Sequence, residues 1–161
     1  MKTTWKIILI FTIMGVAVIC GAAQATEKLA KSVYDAEAAK RYGGNENGMK
    51  AYVFVMLRTG PNDDKFKGKE RDEMFTGHFA NINRMADAGK LLLAGPFDKN
   101  ERGYRGLFIF TGVTAEEALK LMEGDPTIKS GIFVTDIVPW YGSAAVMAIP
   151  EIHPKLIKPK Q

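Results

Sequence analysis

The sequence predicts an α+β domain: four strands and two helices in the order β-α-β-β-α-β. Three observations carry the prediction. Apolar, β-branched and aromatic runs of strand length recur between clusters of Gly, Pro, Asn and Asp. Two intervening segments repeat apolar residues at helical spacing or carry helix-end signals. Each of those segments lies between two runs, and the middle two runs follow one another directly.

In chain order, Tyr52 to Leu57 is an unbroken apolar run closed by Gly60-Pro61-Asn62-Asp63, a buried strand ending in a turn. Glu70 to Ala88 reads as a helix, because Phe75, Phe79, Ile82 and Ala86 fall on one face as its buried stripe. Gly89 follows where a left-handed helix end favours glycine. Lys90 to Ala94 is a second strand, stopped by Gly95-Pro96, and Tyr104 to Thr111 is a third. Thr114 caps the next helix, with Glu116 and Glu117 in its first turn and Gly124 past its end. Ile132 to Val138 completes the sheet, and Pro139 stops it.

This order is the split βαβ pattern of a ferredoxin-like sandwich, with both helices on one face of the sheet. A solvated opposite face would be polar. Here Tyr52, Phe54 and Met56 alternate with Val53, Val55 and Leu57, and Leu107 and Ile109 alternate with Phe108 and Phe110. Both faces are therefore apolar. A second apolar face of this size predicts an interface: a homodimer packed sheet to sheet, which makes a dimeric α+β barrel.

Residues 1–25 have the three parts of a signal peptide. Lys2 and Lys6 precede the apolar run Ile7 to Cys20, and Ala23-Gln24-Ala25 offers small residues for cleavage after Ala25. The run is short for a bilayer core of about 30 Å, and no basic stop follows it. A retained anchor and a lipoprotein at Cys20 are the competing uses, and the large Ile19 stands where lipidation takes a small residue. Cleavage predicts a periplasmic or extracellular protein without membrane attachment. It also removes Cys20, the one cysteine, which leaves no thiol for a disulfide, a nucleophile or a metal site. The net charge of +4 drops by two with Lys2 and Lys6, and no basic cluster interleaved with aromatics points to nucleic acid. Residues 26–48 read as an N-terminal extension, with helix formers Ala36 to Lys40 broken by Gly43 to Gly48. The domain spans 49–141. Residues 142–161 are a tail, expected to be extended and partly mobile, with Ala144 to Ile149 docking on the domain or on a partner.

Right-handed crossovers give the first two strands one direction and the last two the other. One end of the sheet then collects Arg58, His78, Gly95-Pro96-Phe97, Arg105, Asp125-Pro126 and Ser130. His78 sits about 60° from Phe75 on a helical wheel, at the margin of the apolar stripe. That position fits a general base oriented by a carboxylate, and it equally fits a boundary histidine satisfied by a backbone carbonyl. Asp125-Pro126 after Gly124 fits a turn cap, and one carboxylate oxygen can cap while the other faces His78. Arg58 and Arg105 suit an anionic substrate group or solvent, and Pro96 and Phe97 suit substrate contacts. Ser130 lacks a nucleophile elbow and fits a turn hydroxyl or a substrate contact. His78 and His153 lie far apart without clustered carboxylates, and no P-loop, GxGxxG or GxSxG occurs. No metal and no cofactor is expected.

These residues resemble the YCII-related family. The likeness lies in Gly77-His78-Phe79, in Gly89-Lys90-Leu91 with Ala94-Gly95-Pro96-Phe97, and in Gly106 to Phe110. It continues through Asp125-Pro126 with Lys129-Ser130-Gly131 to Pro139-Trp140, across residues 50–141. Gly48-Met49-Lys50 and Trp140 to Ala145 look like a secreted subgroup that carries the same flanks. The resemblance implies a dimeric barrel of ferredoxin-like units and a His–Asp pair as the active site, which falls on His78 and Asp125. One member resembles a dehydrochlorinase of chlorinated hydroxyquinols. The wider superfamily includes muconolactone isomerases, cofactor-free monooxygenases and haem-handling proteins, and export departs from its usual pattern. Two functions follow. One is a cofactor-independent enzyme that moves a proton in an isomerisation or an elimination such as dehydrochlorination, with Arg58 or Arg105 steadying an oxyanion. The other is a non-catalytic dimeric module that holds a small ligand in the cell envelope, a haem-binding version of which would use His78 as axial ligand.

Overall fold

The structure is a computed structural model and describes residues 34–159, so the predicted signal peptide lies outside the described residues. The apolar run around Val55 becomes β1 (Met49–Thr59), and its alternation sets the layers. Val53, Val55 and Leu57 join one buried cluster, and Tyr52 joins a second cluster against which Phe54 packs. The remaining elements are α1 (Ala36–Tyr42), α2 (Gly68–Asp87), β2 (Leu91–Pro96) and β3 (Tyr104–Phe110). They continue with α3 (Ala115–Met122), a single turn α4 (Pro126–Lys129) and β4 (Phe133–Ser143). The strands form one antiparallel sheet in the order β2-β3-β1-β4. That is the ferredoxin-like order which the β-α-β-β-α-β succession predicts.

Thr114 starts α3 through a complete capping box. Its hydroxyl accepts from the Glu117 amide at 3.2 Å, and the Glu117 carboxylate accepts from the Thr114 amide at 2.7 Å. The main core lies between the sheet and the helices: Val53, Val55, Phe108 and Phe110 from the strands meet Met85, Ala118 and Met122 from α2 and α3. Among the described residues no helix is long and apolar enough to cross a membrane.

Three expectations need correction. The buried residues of α2 are His78, Asn81 and Met85, while Phe79 is exposed and Phe75 and Ile82 are half-buried. The stripe is rotated, and Phe75, Phe79 and Ile82 line a cleft beside the core. Pro139 does not stop β4 but pairs opposite Val53 within it. β4 is an edge strand, where a residue without an N–H donor is tolerated.

The tail is coiled rather than extended, in a 3₁₀ turn Ala144–Ala148, a short helix α5 (Ile149–Ile152) and a second 3₁₀ turn His153–Leu156. Val146 and Met147 pack on Tyr52, Leu92 and Ile109, so the tail covers one end of the second sheet face. It is tied to α1, where Arg41 Nη2 reaches Glu151 Oε2 at 2.8 Å and the Tyr42 hydroxyl donates to the same oxygen at 3.3 Å. Elsewhere on that face Phe54, Met56 and Leu107 are half-buried, and Val138 and Trp140 are exposed.

Candidate active site

Gly77 lets the site form. A Cβ there would come within 2.6 Å of Pro126 Cγ, so glycine allows α4 to lie directly on α2. That contact sets Asp125, the N-cap of α4, against His78. His78 Nδ1 is 2.6 Å from Asp125 Oδ2, and both side chains are buried. The other oxygen, Oδ1, accepts from the Thr127 amide at 2.9 Å and from the Thr127 hydroxyl at 2.7 Å. One carboxylate therefore caps a turn and holds a histidine at once.

Burial opposes ionisation of Asp125, but the hydrogen bonds from His78 and Thr127 together outweigh it, and the carboxyl is held below its usual range. An ionised Asp125 only accepts, which assigns the shared proton to His78 Nδ1 and leaves Nε2 as the ring nitrogen for a ligand. The imidazole sits among four phenyl rings, with Phe79 and Phe133 at 5.5 and 5.6 Å, and Phe75 and Phe108 at 6.0 and 6.1 Å between centroids. These rings exclude water and strengthen the pair.

His78 lines a cleft of 420 Å³ together with Ala94, Gly95, Pro96, Phe97 and Arg105. Arg105 reaches it through a β-bulge: Leu57 pairs with Gly106 and Arg58 with Tyr104, so Arg105 is the extra residue. The bulge turns its guanidinium over the Phe133 ring, 5.5 Å from the centroid, on the helix side of the sheet. Asp63 holds it there at 3.1 Å and is itself held by Arg71 at 2.6 Å. Burial raises the Asp63 carboxyl, and the two arginines outweigh that and lower it.

Sequence reasoning brings His78, Asp125, Pro96, Phe97 and Arg105 to one end of the sheet, and the structure places all five around this cleft. It does not bring Arg58 or Ser130 there. Arg58 lies on the opposite sheet face, ion-paired with Asp136 at 2.6 Å, because strand alternation puts residue 58 out of phase with Leu57. The Ser130 hydroxyl donates to the Thr127 carbonyl at 3.3 Å and closes the α4 turn. Thr127 and Asp63 went unrecognised. Thr127 stands two residues after a capping aspartate, a usable signal, whereas Asp63 reads only as a turn residue. Among the described residues no group of three or more His, Cys, Asp or Glu side chains comes together to hold a metal ion.

Comparison with curated proteins gives no match. Among solved structures, the chain is similar to 5-chloro-2-hydroxyhydroquinone dehydrochlorinase from Burkholderia phenoliruptrix AC1100, in complex with 2,5-dihydroxybenzoquinone. The sequences are 20% identical, the alignment covers 55% of this chain and 92% of that one, and the TM-score is 0.39. Residues 52–141 match the model of the YCII-related domain, which is more than half of the chain. The chain belongs to the YCII-related domain family.

Proposed function

We propose that this chain is an exported, cofactor-independent enzyme that moves a proton on a small organic substrate. The observation that carries the reading is the buried His78–Asp125 pair set in the wall of an aromatic cleft of 420 Å³. With Nδ1 held by Asp125, Nε2 takes a proton from an acidic C–H beside a carbonyl. The electron pair left behind forms an enolate, whose oxygen Arg105 steadies while Asp125 balances the imidazolium. His78 then returns the proton at another carbon, which is an isomerisation. Alternatively the enolate pair reforms the carbonyl and expels a leaving group with its bonding electrons, as in loss of chloride. Pro96 and Phe97 supply apolar walls for the substrate.

The sequence pattern of residues 1–25 supports export with cleavage after Ala25. The flanks Gly48-Met49-Lys50 and Trp140 to Ala145 support a secreted branch of the family. The uncovered part of the second sheet face supports a homodimer in which Phe54, Met56, Leu107 and Trp140 meet their copies.

The test is conversion, or C–H exchange in D₂O followed by NMR, over lactones and hydroxyquinols with their chlorinated forms. The wild type converts or exchanges a member of the panel, and His78→Ala lowers that rate by at least about a hundredfold while remaining folded. If both proteins are inert across the panel and bind its members equally, the catalytic reading fails and a ligand-binding module replaces it. For the dimer, Phe54→Lys sediments as a monomer, and an unchanged mass rules the sheet-to-sheet contact out.

A further inference from the structure

The His78 cleft has a neighbour. A second cavity of 390 Å³ lies along α2 and the edge of β2, lined by Asp87, Leu91, Leu92, Leu93, Ile149 and Pro150 among others. Ile82 and Ala94 line both cavities and form the waist between them. The order of residues gives the groove its direction. From α2, Phe75 and His78 face the first cavity and Ala86 and Asp87 the second; from β2, Gly95 and Pro96 face the first and Leu91 the second. A helix rises about 1.5 Å per residue, so the path from His78 to Asp87 is about 13 Å long.

Different parts of the chain build the two cavities. Every residue of the first lies within 52–141, the stretch that matches the family. The second is completed by Ile149, Pro150 and Pro154 of the tail, outside that stretch. The tail is seated by Val146 and Met147 on Tyr52, Leu92 and Ile109, and Arg41 and Tyr42 of α1 meet its Glu151. Arg105 stands in the first cavity with one Nη1 donor on Asp63 at 3.1 Å, which leaves the rest of its donor fork for a ligand. The second is walled mostly by carbon, with Asn83, Asp87 and His153 as its exposed polar residues.

We infer that the ligand of this site is an amphipath. Its anionic head lies at Arg105 and His78, and an unbranched apolar arm passes Ile82 and Ala94 into the cavity completed by the tail. This rests on the His78 cleft being the ligand site. The family domain receives the head, and the tail outside the family match selects the arm.

Straight-chain carboxylates from butanoate to tetradecanoate, titrated into the protein by calorimetry, are the probe. Once the chain passes the waist, each added methylene tightens Kd about three- to fourfold, by burial of apolar surface. The gain stops near about ten carbons, where the groove ends. Ala94→Phe plugs the waist and abolishes the gain with length. Ile82→Phe is the second plug, should Ala94→Phe fail to fold. Arg105→Gln weakens every length about tenfold or more, since it removes the charged partner of the head. Binding in the wild type that is independent of length, or a gain that survives the plugs, overturns the inference and leaves the His78 cleft standing as a ligand site. Absence of binding at every length overturns both.

Discussion

Alternate residues of β1 face two different worlds. On the helix side, Val55 and Leu57 are 0% and 2% exposed, and His78, Asp125 and Thr127 form one hydrogen-bonded set beside them. On the other side Phe54 and Met56 are only half-buried, and the charged pair Arg58–Asp136 stands in solvent with side chains 42% and 48% exposed. The contrast teaches where chemistry can be done. An ion pair in water is screened and holds neither partner firmly. The same hydrogen bonds inside the aromatic cage act at low dielectric, where each fixes an orientation and a charge state.

The sharpest way to break this comparison is to truncate a ring on each face. Phe108 is 2% exposed, packs on His78 and belongs to the main core, so Phe108→Ala should destabilise by about 3–5 kcal/mol. Phe54→Ala, on the half-open face, should lose about 1 kcal/mol or less in the monomer. Urea unfolding of both variants checks this, and equal losses would mean that the two faces are equivalent. The polar groups give the next contrast. Asp125→Ala removes the carboxylate acceptor of His78 and Thr127, leaving the two side chains only their mutual contact at 3.3 Å, and should lose about 3 kcal/mol. Asp136→Ala on the open face should leave the melting temperature unmoved. A melting temperature that falls as far in Asp136→Ala as in Asp125→Ala removes the distinction.

Acid sharpens the comparison from the other direction. Asp125 and Asp63 both have carboxyls held below the ordinary value of 3.8. Each therefore binds its proton less readily in the folded chain than in the unfolded one. The stability they contribute is complete above pH 3.8 and is lost as pH falls through their lower folded values. Urea unfolding of the wild type and of Asp125→Asn between pH 6 and pH 2 follows the loss. The wild-type curve should bend downward below that ordinary value, and the variant's should bend less. Parallel curves would mean that Asp125 is not ionised in the native state.

Much of this layout was legible in the sequence, for reasons that differ by residue. The strands and helices announce themselves through period and caps, because Thr114, Gly89 and the run around Val55 act locally. The meeting of His78 with Asp125 followed from topology, since handed crossovers bring those ends together whatever the side chains are. Three features were not legible. The phase of α2 is set by packing against segments distant in sequence, as where Gly77 meets Pro126, so Phe79 read as core yet is exposed. Arg105 enters the cleft because of one bulged residue, which nothing in the local sequence marks, while Arg58 leaves it by strand alternation. The coiled tail takes its shape from the second sheet face and from the grip of α1 on Glu151, both distant in sequence.

A finer test isolates one of the residues that sequence reasoning missed. Thr127→Val keeps the size and β-branching of the side chain and the backbone bond to Asp125 at 2.9 Å, but removes the hydroxyl that donates at 2.7 Å. The lost bond to a buried carboxylate should cost about 1–2 kcal/mol at neutral pH. Because that donor stabilises the charged form, the Asp125 carboxyl should rise toward its ordinary value. Part of the stabilisation should then disappear at a higher pH than in the wild type, and Thr127→Ser should restore both stability and the acid limb. A merely space-filling Thr127 predicts the reverse order: Val would be harmless and Ser, with its missing methyl, would be the damaging change. The two substitutions thus decide whether Thr127 fills a gap or holds the carboxylate in the charge state that orients His78.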